Sequence, residues 1–382
     1  MTDRDVLISL MEYSEGKFPA NWGTDTPIDE WEGVTINEKG DIVKLELTGN
    51  IRELSYDLGN FTHLEILEIH CSRLSSLPKW IGYLTNLTEL YLDCESLTYL
   101  PESIGNLRNL TSLKLGGVLS GCKSLMSLPE SIGNLTNLTR LELRNCPSLI
   151  SLPSSIGNLK NLAELDISIC KSLTSLPDSI GNLKNLTKLL MSYCESLTSL
   201  SESIGNLNNL IELHLYGCKK LTTLPNSIGK LTNLTRLLLG DCESLTSLSE
   251  SIGNLNNLIE LHLYGCKKLT TLPNSIGKLT NLTKLILRDC NSLTSLPESI
   301  GNLTNLTKLY LYYASHTPFP ESIGNLANLT ELNLSISNYH FSLPESIGNL
   351  TNLTKLDLYY KSHSSLPDSI GNLQNLTELK LW

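Results

Sequence analysis

Apolar and polar residues alternate along this chain in one phrase that recurs through most of its length. In the segment SLPESIGNLTNLTKLYL, residues 295–311, Leu309 and Leu311 alternate with Lys308 and Tyr310. That period of two predicts a β-strand, because successive strand side chains point to opposite faces of a sheet. The leucines are then expected to lie in the core, and Lys308 and Tyr310 on the outer face of the strand.

The residues before that strand predict a short helical return. Leu296 precedes a proline and is therefore biased to an extended conformation. Pro297 suits the first position of a helical turn, and Glu298 suits its positively polarised N-terminus. Gly301 is expected to end the turn in a left-handed conformation. Each copy of the phrase thus predicts one strand and one helical turn.

The glycine of the IGNL phrase gives the period of the repeat. Successive glycines are 23 or 24 residues apart, except for a spacing of 28 between Gly105 and Gly133. The glycines are Gly59, Gly82, Gly105, Gly133, Gly157, Gly181, Gly205, Gly229, Gly253, Gly277, Gly301, Gly324, Gly348 and Gly371. A unit of this size buries too little surface to fold alone, so neighbouring units must stack.

The repeat therefore predicts an α/β solenoid rather than several separate cores. We expect a curved horseshoe with a parallel β-sheet on the concave face and short helices or 3-10 turns on the convex face. Residues 1–40 are predicted to form an N-terminal cap. Residues 41–382 are predicted to form a solenoid of about 14 or 15 repeats of 23–24 residues.

The long interval contains the segment LGGVLSGCKSL, with about four inserted residues around Gly117 to Ser120. The letters GGVLSG resemble part of a phosphate-binding loop. They lack the Lys-Ser/Thr ending and the strand-to-long-helix context that such a loop requires. We predict a bulging surface loop.

Ten cysteines are spread through the repeats. Most are 24 residues apart, one in each repeat, which favours a ladder of small buried thiols over zinc ligands or a disulfide framework. Asn50 is expected to take the corresponding place in the first strand and to bond the turn that follows. Stacked strands lie ~4.8 Å apart, so neighbouring thiols could also approach disulfide range. The reduced ladder is our prediction, and it favours a reducing compartment.

Charge and hydropathy exclude some classes of function. The net charge of −10 argues against nucleic-acid binding, and no apolar stretch approaches the ~20 residues of a membrane span. The first 17 residues, MTDRDVLISLMEYSEGK, lack the order of a signal peptide. We predict a cytoplasmic protein, or a secreted or extracellular one if a leader is missing. In that case Asn86 and Asn137, in N-L-T sequons of the repeated TNLT phrase, would accept glycans.

These residues resemble the leucine-rich-repeat family over essentially the whole chain. The phrase LTSLPESIGNLTNLTKL is similar to the Ras-group-related leucine-rich-repeat proteins of plants, and C-x-S-L-x-x-L-P to the repeats of plant intracellular immune receptors. The segment NWGTDTPIDEWEGVTINEKGDIVKLEL resembles the cap of plant receptor-kinase ectodomains, in which Trp22 and Trp31 would cover the first strand. The paired cap cysteines of that family are absent. The resemblance implies a curved solenoid for protein–protein recognition, without catalysis.

A column of charges is expected on the outer face of the strands, just before the second strand leucine. Its sign alternates along most of the chain, which predicts a ladder of exposed ion pairs worth ~0–1 kcal/mol each. The column runs Glu89, Ser112, Arg140, Glu164, Lys188, Glu212, Arg236, Glu260, Lys284, Lys308, Glu331, Lys355, Glu378. The like-charged step from Lys284 to Lys308 is a place where an acidic partner could dock.

Aromatic residues gather on the same face in the later repeats, which hold eight of the 14 tyrosines. Tyrosine is enriched at interaction hot spots, although it also simply suits a strand. With the two lysines, the predicted partner-binding residues are Tyr193, His214, Tyr216, His262, Tyr264, Lys284, Lys308, Tyr310, Tyr312, Tyr313, Tyr359 and Tyr360. Residues 194–235 recur identically at 242–283, so Tyr216 and Tyr264 are copies of one observation.

We predict a non-enzymatic protein-interaction module or scaffold that serves signalling or defence recognition and binds a protein partner on its concave face. No Ser/His/acid or Cys/His pairing falls on adjacent outward positions, so we predict no catalytic residue, no metal site and no cofactor. The chain is expected to be a monomer, or a weak dimer through the apolar end formed by Leu376, Leu379 and Leu381. The alternative is the recognition portion of a larger receptor, receptor kinase or nucleotide-binding immune receptor.

Overall fold

A computed structural model describes residues 2–12, 20–117, 120–313, 319–336, 343–360 and 366–382. The side chains of Glu12, Tyr312, Tyr313, Ile336 and Tyr360 lie outside the description, as do residues 118 and 119 of the predicted bulging loop. The chain divides into two compact units, residues 1–189 and residues 190–382. No helix among the described residues is long and apolar enough to cross a bilayer.

Both units are built from short strands that follow one another in chain order. Unit 1 contains β1 (Val34–Ile36), β2 (Ile42–Gly49), β3 (Ile66–Cys71), β4 (Glu89–Asp93), β5 (Ser112–Leu115), β6 (Arg140–Glu142) and β7 (Glu164–Asp166). The division between the units falls within β8 (Lys188–Leu190). Unit 2 contains β9 (Glu212–His214), β10 (Arg236–Leu238), β11 (Glu260–His262), β12 (Lys284–Leu287), β13 (Lys308–Tyr313), β14 (Glu331–Ile336), β15 (Lys355–Tyr360) and β16 (Glu378–Leu381).

Strand pairing follows the repeat period within each unit. Each strand pairs in parallel with the next, and equivalent leucines face one another, as Leu261 faces Leu285. These leucines are fully buried. The exception is β1, which pairs with β2 in antiparallel fashion and belongs to the predicted cap. In that cap Trp22 and Trp31 are buried and stacked, with ring centroids 5.5 Å apart.

Short 3-10 segments connect the strands, so the predicted solenoid of parallel strands and tight turns is confirmed. In unit 1 they span Ile28–Glu30, Tyr56–Asn60, Lys79–Tyr83, Glu102–Asn106, Glu130–Asn134, Ser154–Asn158 and Asp178–Asn182. In unit 2 they span Glu202–Asn206, Asn226–Lys230, Glu250–Asn254, Asn274–Lys278, Glu298–Asn302, Glu321–Asn325, Glu345–Asn349 and Asp368–Asn372. The α-helix α1, Asp3–Glu12, lies in residues 1–40, the predicted cap.

The structure corrects the predicted role of the IGNL glycine. Gly301 lies inside its 3-10 segment and is not among the residues with a left-handed backbone. A Cβ on Gly301 would instead collide with the backbone oxygen and the Cβ of Ser322 in the next repeat. The period is therefore marked by glycine because neighbouring turns approach too closely for any side chain.

The predicted position of Pro297 is also corrected, whereas Glu298 lies in the first turn as predicted. Pro297 caps the 3-10 segment from outside, one residue before its start. The carboxylate of Glu298 accepts a hydrogen bond of 3.3 Å from the backbone N–H of Ser322 in the next repeat. This glutamate therefore joins neighbouring turns and does not cap its own.

The contact between a turn glutamate and the next repeat is stronger where two backbone N–H groups donate to the carboxylate. The two oxygens of Glu250 accept hydrogen bonds from the backbone N–H groups of Asn274, at 3.2 Å, and Ser275, at 3.0 Å. Contacts with Ser275 and then Asn274 lower the pKa of Glu250 below its ordinary value of 4.5. Glu130 and Glu202 are held in the same way.

The lowered pKa of Glu250 predicts an acid-sensitive contribution to stability. A carboxylate whose pKa is lower in the folded state stabilises the fold fully above about pH 4.5 and loses that effect as the pH falls through the lowered pKa. We expect the melting temperature of Glu250→Gln to fall less steeply than that of the wild type as the pH is lowered from 5 to 3. Thermal melts across that range measure the effect.

The matched control for this change is Glu321→Gln. Glu321 occupies the same position in its repeat but accepts no hydrogen bond from a described residue. The melting temperature of Glu321→Gln should depend on pH in the same way as that of the wild type. Parallel pH profiles for Glu250→Gln and the wild type would show that the contact between turns does not contribute.

Asparagine and threonine form a second link between repeats. The asparagine amide of each TNLT phrase donates to a backbone carbonyl of the preceding repeat, as Asn281 does to Asn256 at 2.7 Å. The threonine hydroxyl does likewise, as Thr307 does to Thr283 at 3.0 Å. Asn86 and Asn137 of the predicted sequons belong to this ladder.

All ten cysteines are buried, and none of them is in a disulfide. The thiol donates to a backbone carbonyl in the preceding repeat, as Cys170 does to Leu143 and Cys290 to Leu263, both at 3.0 Å. Burial raises the pKa of Cys218 and of Cys290 to about 12. These groups are therefore protonated at neutral pH and act as structural donors, because the thiolate is the reactive form.

Asn50 does not take the place that the sequence predicts. In the register of the strands Gly49, and not Asn50, faces Cys71. Asn50 is exposed, and its side-chain oxygen accepts a hydrogen bond of 3.0 Å from the Ser72 hydroxyl. Asn50 follows the last strand leucine, Leu47, by three residues, as Cys290 follows Leu287, whereas Cys71 follows Ile69 by only two.

Candidate functional site

The predicted binding residues lie in unit 2 on one face of its sheet. We call this surface the unit-2 sheet face, formed by the side chains of β9–β16 that alternate with the buried leucines and by the residues of unit 2 that lie up to three positions after β8–β16. The strand register aligns two columns on it. The first column is Glu212, Arg236, Glu260, Lys284, Lys308, Glu331, Lys355 and Glu378. The second column is His214, Leu238, His262, Ile286, Tyr310, Asn333, Asp357 and Lys380.

Ion pairs connect much of the first column, as the alternating sign predicts. Arg236 lies 3.5 Å from Glu212 and 3.6 Å from Glu260. Lys355 lies 3.9 Å from Glu331 and 3.7 Å from Glu378. These side chains are partly exposed, so each pair is worth ~0–1 kcal/mol. The ladder fixes the pairing of the strands more than it stabilises the fold.

The ladder is interrupted at Lys284. Lys284 and Lys308 are register neighbours, but Lys308 pairs with Glu331 at 3.4 Å. Lys284 forms no ion pair with any residue in the described ranges. Burial and the charge of Lys284 lower the pKa of the neighbouring His262, which favours neutral imidazole at pH 7. His214, its copy, lies 3.2 Å from the Glu212 carboxylate.

Tyr216 and its duplicate Tyr264 differ in exposure although their local sequences are identical. Tyr216 is half-buried because its ring covers Gly240, where a Cβ would lie 2.5 Å from Cδ2 of the tyrosine. One repeat after Tyr264, where Tyr216 has Gly240, the chain has Arg288, whose side chain a tyrosine ring cannot cover in this way. Tyr264 is accordingly 37% exposed.

A left-handed residue ends the strand segment before several of the cysteines. Asn145, Ile169, Tyr193, Asp241 and Asp289 have φ between 53° and 66°. Asn and Asp tolerate this conformation, whereas for a bulky residue it costs about 1–2 kcal/mol. Tyr193 therefore has a strained backbone, and the residue is 41% exposed. Its ring meets that of Tyr216 edge to face at 5.1 Å.

A cleft of about 460 Å³ opens on the unit-2 sheet face near β12–β16. Its lining consists of charged, amide, hydroxyl and aromatic side chains with one leucine. The lining residues are Arg288, Asp289, Leu311, Asn333, Ser335, Asp357, Tyr359, Lys380 and Trp382. We call it the Asp357 cleft.

Two aromatic contacts shape this cleft. Tyr359 stacks on Trp382 with ring centroids 5.3 Å apart and an interplanar angle of 7°. Tyr359 is 43% exposed and Trp382 is 65% exposed. At the other end the guanidinium of Arg288 lies 5.0 Å from the ring centre of Tyr310. Burial, and then Glu331, raise the pKa of Tyr310 to about 12.

Asp357 is the most buried charged residue of the cleft, with 7% of its surface exposed. Its Oδ2 accepts a hydrogen bond of 3.2 Å from the Asn333 amide and lies 3.6 Å from Nζ of Lys355. Its Oδ1 is buried and has no hydrogen-bond partner among the described residues. A buried acceptor without a donor costs about 1–3 kcal/mol, so a donor placed at this oxygen would recover free energy.

Unit 1 carries a comparable acid whose oxygens are both engaged. Asp166 occupies the same strand position as Asp357 and is 4% exposed. Its Oδ1 accepts a hydrogen bond of 2.9 Å from the Ser168 backbone, and its Oδ2 lies 3.3 Å from Nε of Arg144. Both oxygens of Asp166 therefore have a partner within unit 1, unlike Oδ1 of Asp357.

The described residues also contain one group of metal-type ligands, in unit 1. Ligand atoms of Glu46, Glu68 and His70 lie within 4.8 Å of one another. The sequence singled out no metal site here. Nζ of Lys44 lies 2.8 Å from Glu68, so an ion pair already neutralises one of the two carboxylates.

Comparison with solved structures gives a leucine-rich-repeat protein of Leptospira interrogans, 32% identical, with a TM-score of 0.67. The match covers 86% of this chain and 82% of that one. The chain belongs to the leucine-rich-repeat family. Family profiles described as a leucine-rich repeat region and as a leucine-rich repeat match residues 262–382 and residues 62–117. A further leucine-rich-repeat profile matches residues 209–231.

Two other leucine-rich-repeat structures are similar. The leucine-rich repeat domain of the type III effector XopL is 32% identical with a TM-score of 0.50, over 56% of this chain and 72% of that one. An internalin of Listeria monocytogenes, 17% identical with a TM-score of 0.54 over 89% of both chains, shares the fold. No curated protein matches the chain by sequence. The family supports a protein-interaction module.

The structure describes nine of the twelve predicted binding residues in full. Tyr193, Tyr216, Tyr264, Tyr310 and Tyr359 lie on the unit-2 sheet face with both histidines and both lysines. Tyr312, Tyr313 and Tyr360 belong to β13 and β15, but their side chains lie outside the described part. Sequence reasoning missed Arg288, Asp289, Asn333 and Asp357, although an acid between two strand leucines was a visible signal for Asp357.

Proposed function

We propose that this chain is a non-enzymatic protein-binding module that contacts its partner through the unit-2 sheet face. The observation that carries the proposal is the exposure of three tyrosines on that face, Tyr193, Tyr264 and Tyr359. Tyrosine supplies a large contact area for little side-chain entropy, and such residues dominate binding energies at interfaces. The partner class is protein, in keeping with the family.

Charge supports the same surface. Lys284 is a cation without an ion-pair partner in the described ranges, beside the neutralised Lys308. Such a charge steers an acidic group on a partner and fixes its register more than it adds affinity. The proposed interface therefore has aromatic anchors and an open cation at Lys284.

The cysteines support a proposal for the compartment. All ten cysteines are buried without a disulfide, and eight of their thiols donate a hydrogen bond to a backbone carbonyl, a use typical of reducing compartments. We infer a cytoplasmic setting. Mass spectrometry of the native protein should find unmodified thiols and unmodified N-L-T asparagines; disulfides or glycans would contradict this setting.

The binding test is the double variant Tyr193→Ala/Tyr264→Ala. A partner is first identified by affinity purification from the native cell, and its dissociation constant is measured with purified components. We expect the double variant to bind at least tenfold more weakly, since a hot-spot residue contributes about 2 kcal/mol or more.

The matched control is Tyr56→Ala/Tyr83→Ala. These two tyrosines are 68% and 56% exposed and lie in 3-10 segments of unit 1. This variant should bind the partner like the wild type. Equal affinities for both double variants would exclude the unit-2 sheet face as the interface.

A further inference from the structure

The Asp357 cleft holds two carboxylates with unused acceptor capacity. Oδ1 of Asp357 is buried without a donor. Asp289, in its left-handed conformation, is half-buried and forms no ion pair or hydrogen bond with any residue that the structure describes. Both side chains line the same cleft. The cleft therefore offers acceptors to a ligand that brings donors.

The cations of the cleft are already engaged. Nζ of Lys380 lies 2.5 Å from the Glu378 carboxylate. The guanidinium of Arg288 lies over the ring of Tyr310. Neither cation is paired with Asp289 or with the free oxygen of Asp357. Lys355 already pairs with Oδ2 of Asp357, so the two carboxylates lack hydrogen-bond donors at Oδ1 of Asp357 and at Asp289, and a cationic ligand with several N–H groups would supply them.

The aromatic wall favours one kind of cation. Tyr359 and Trp382 are stacked and largely exposed, and such rings attract a cation placed over their faces. A guanidinium is planar, stacks on aromatic rings and carries five N–H donors, so one group can serve a ring and two carboxylates at once. An ammonium is a compact, strongly hydrated charge that stacks poorly.

We propose that the Asp357 cleft binds an arginine side chain of a partner. Asp357 and Asp289 accept its N–H groups, and the Tyr359–Trp382 pair packs against its plane. The net charge of −10 favours the approach of a basic segment. This assignment rests on the proposed protein-binding function and names the chemistry of one part of the partner.

The test uses the full chain and three blocked tripeptides, acetyl-Gly-Arg-Gly-amide and its Lys and Gln counterparts. Trp382 is 65% exposed, while Trp22, Trp31 and Trp80 are at most 4% exposed. Its fluorescence therefore reports on the cleft. We expect a saturable change with the arginine peptide, a weaker one with the lysine peptide, and none at the same concentrations with the glutamine peptide.

Two matched variants locate the effect. Asp357→Asn should weaken binding of the arginine peptide at least tenfold, and Asp166→Asn should leave it unchanged, since Asp166 is already saturated in unit 1. Thermal melts establish that each variant is folded. Should Asp357→Asn fail to fold, Asp289→Asn takes its place with the same expected loss of binding.

Three results would overturn the assignment: no saturable change with the arginine peptide, equal changes with the arginine and glutamine peptides, or unaltered binding by the folded aspartate variant. These outcomes are separate from the partner test, because Tyr193 and Tyr264 do not line the cleft. If the tyrosine double variant loses partner affinity but the arginine peptide does not bind, only the arginine site is contradicted. If the peptide binds but the double variant keeps its partner affinity, only the proposed interface is contradicted.

Discussion

Gly253→Ala is expected to lower the free energy of unfolding by about 3 kcal/mol, at the upper end of the usual range for overpacking. A Cβ on Gly253 would lie 2.5 Å from the backbone oxygen of Ser275 and 2.6 Å from its Cβ. Neither atom is the end of a flexible side chain, so the two turns must separate to make room. Urea unfolding followed by circular dichroism measures the loss.

The chain supplies its own control for this prediction in Gly371. That glycine belongs to the same IGNL phrase, yet a Cβ there would meet nothing within 4 Å. Gly371→Ala should change the unfolding free energy by less than about 0.5 kcal/mol. Similar losses for both variants would show that the glycine acts through its backbone freedom and not through close approach.

Leu261→Ala is expected to lower the free energy of unfolding by about 2–5 kcal/mol. Leu261 is fully buried and faces Leu237 and Leu285 in the register of unit 2. Truncation removes its contacts with both neighbouring repeats and leaves a cavity in a close-packed core. Equilibrium denaturation in urea gives the value.

Ile259→Ala is the control for the leucine change. Ile259 lies two residues earlier and is 42% exposed, so its truncation should cost less than about 0.5 kcal/mol. Equal losses at the two positions would contradict the assignment of Leu261 to the shared core. A small loss at both would contradict the close packing of the repeat.

The strand and turn of each repeat could be predicted because every copy obeys the same constraint. Leu309 and Leu311 alternate at the period of a strand, and the structure buries both. The reason why each repeat has this glycine could not be inferred from a single copy. Gly301 suggested a left-handed turn end, whereas the constraint on it comes from Ser322 in the next repeat. A local pattern predicts local conformation and says little about the approach of neighbours.

The candidate site was predictable in part for the same reason. The alternating charges of Glu212, Arg236 and Glu260 predicted the ion pairs that the structure contains. Identical sequences gave no warning that Tyr216 would be half-buried and Tyr264 exposed, since the cause lies at Gly240 and Arg288. The free oxygen of Asp357 depends on which donors surround it. Such a property belongs to packing and not to any periodicity.

The central claim is that a protein partner covers the unit-2 sheet face. Hydroxyl-radical footprinting of the complex, read by mass spectrometry, tests it most directly because oxidation of tyrosine follows its exposure. The account predicts that the partner protects Tyr193, Tyr264 and Tyr359 and leaves Tyr56, Tyr83 and Tyr99 of unit 1 as reactive as in the free chain. Protection of the unit 1 tyrosines with unchanged oxidation of Tyr193, Tyr264 and Tyr359 would contradict it.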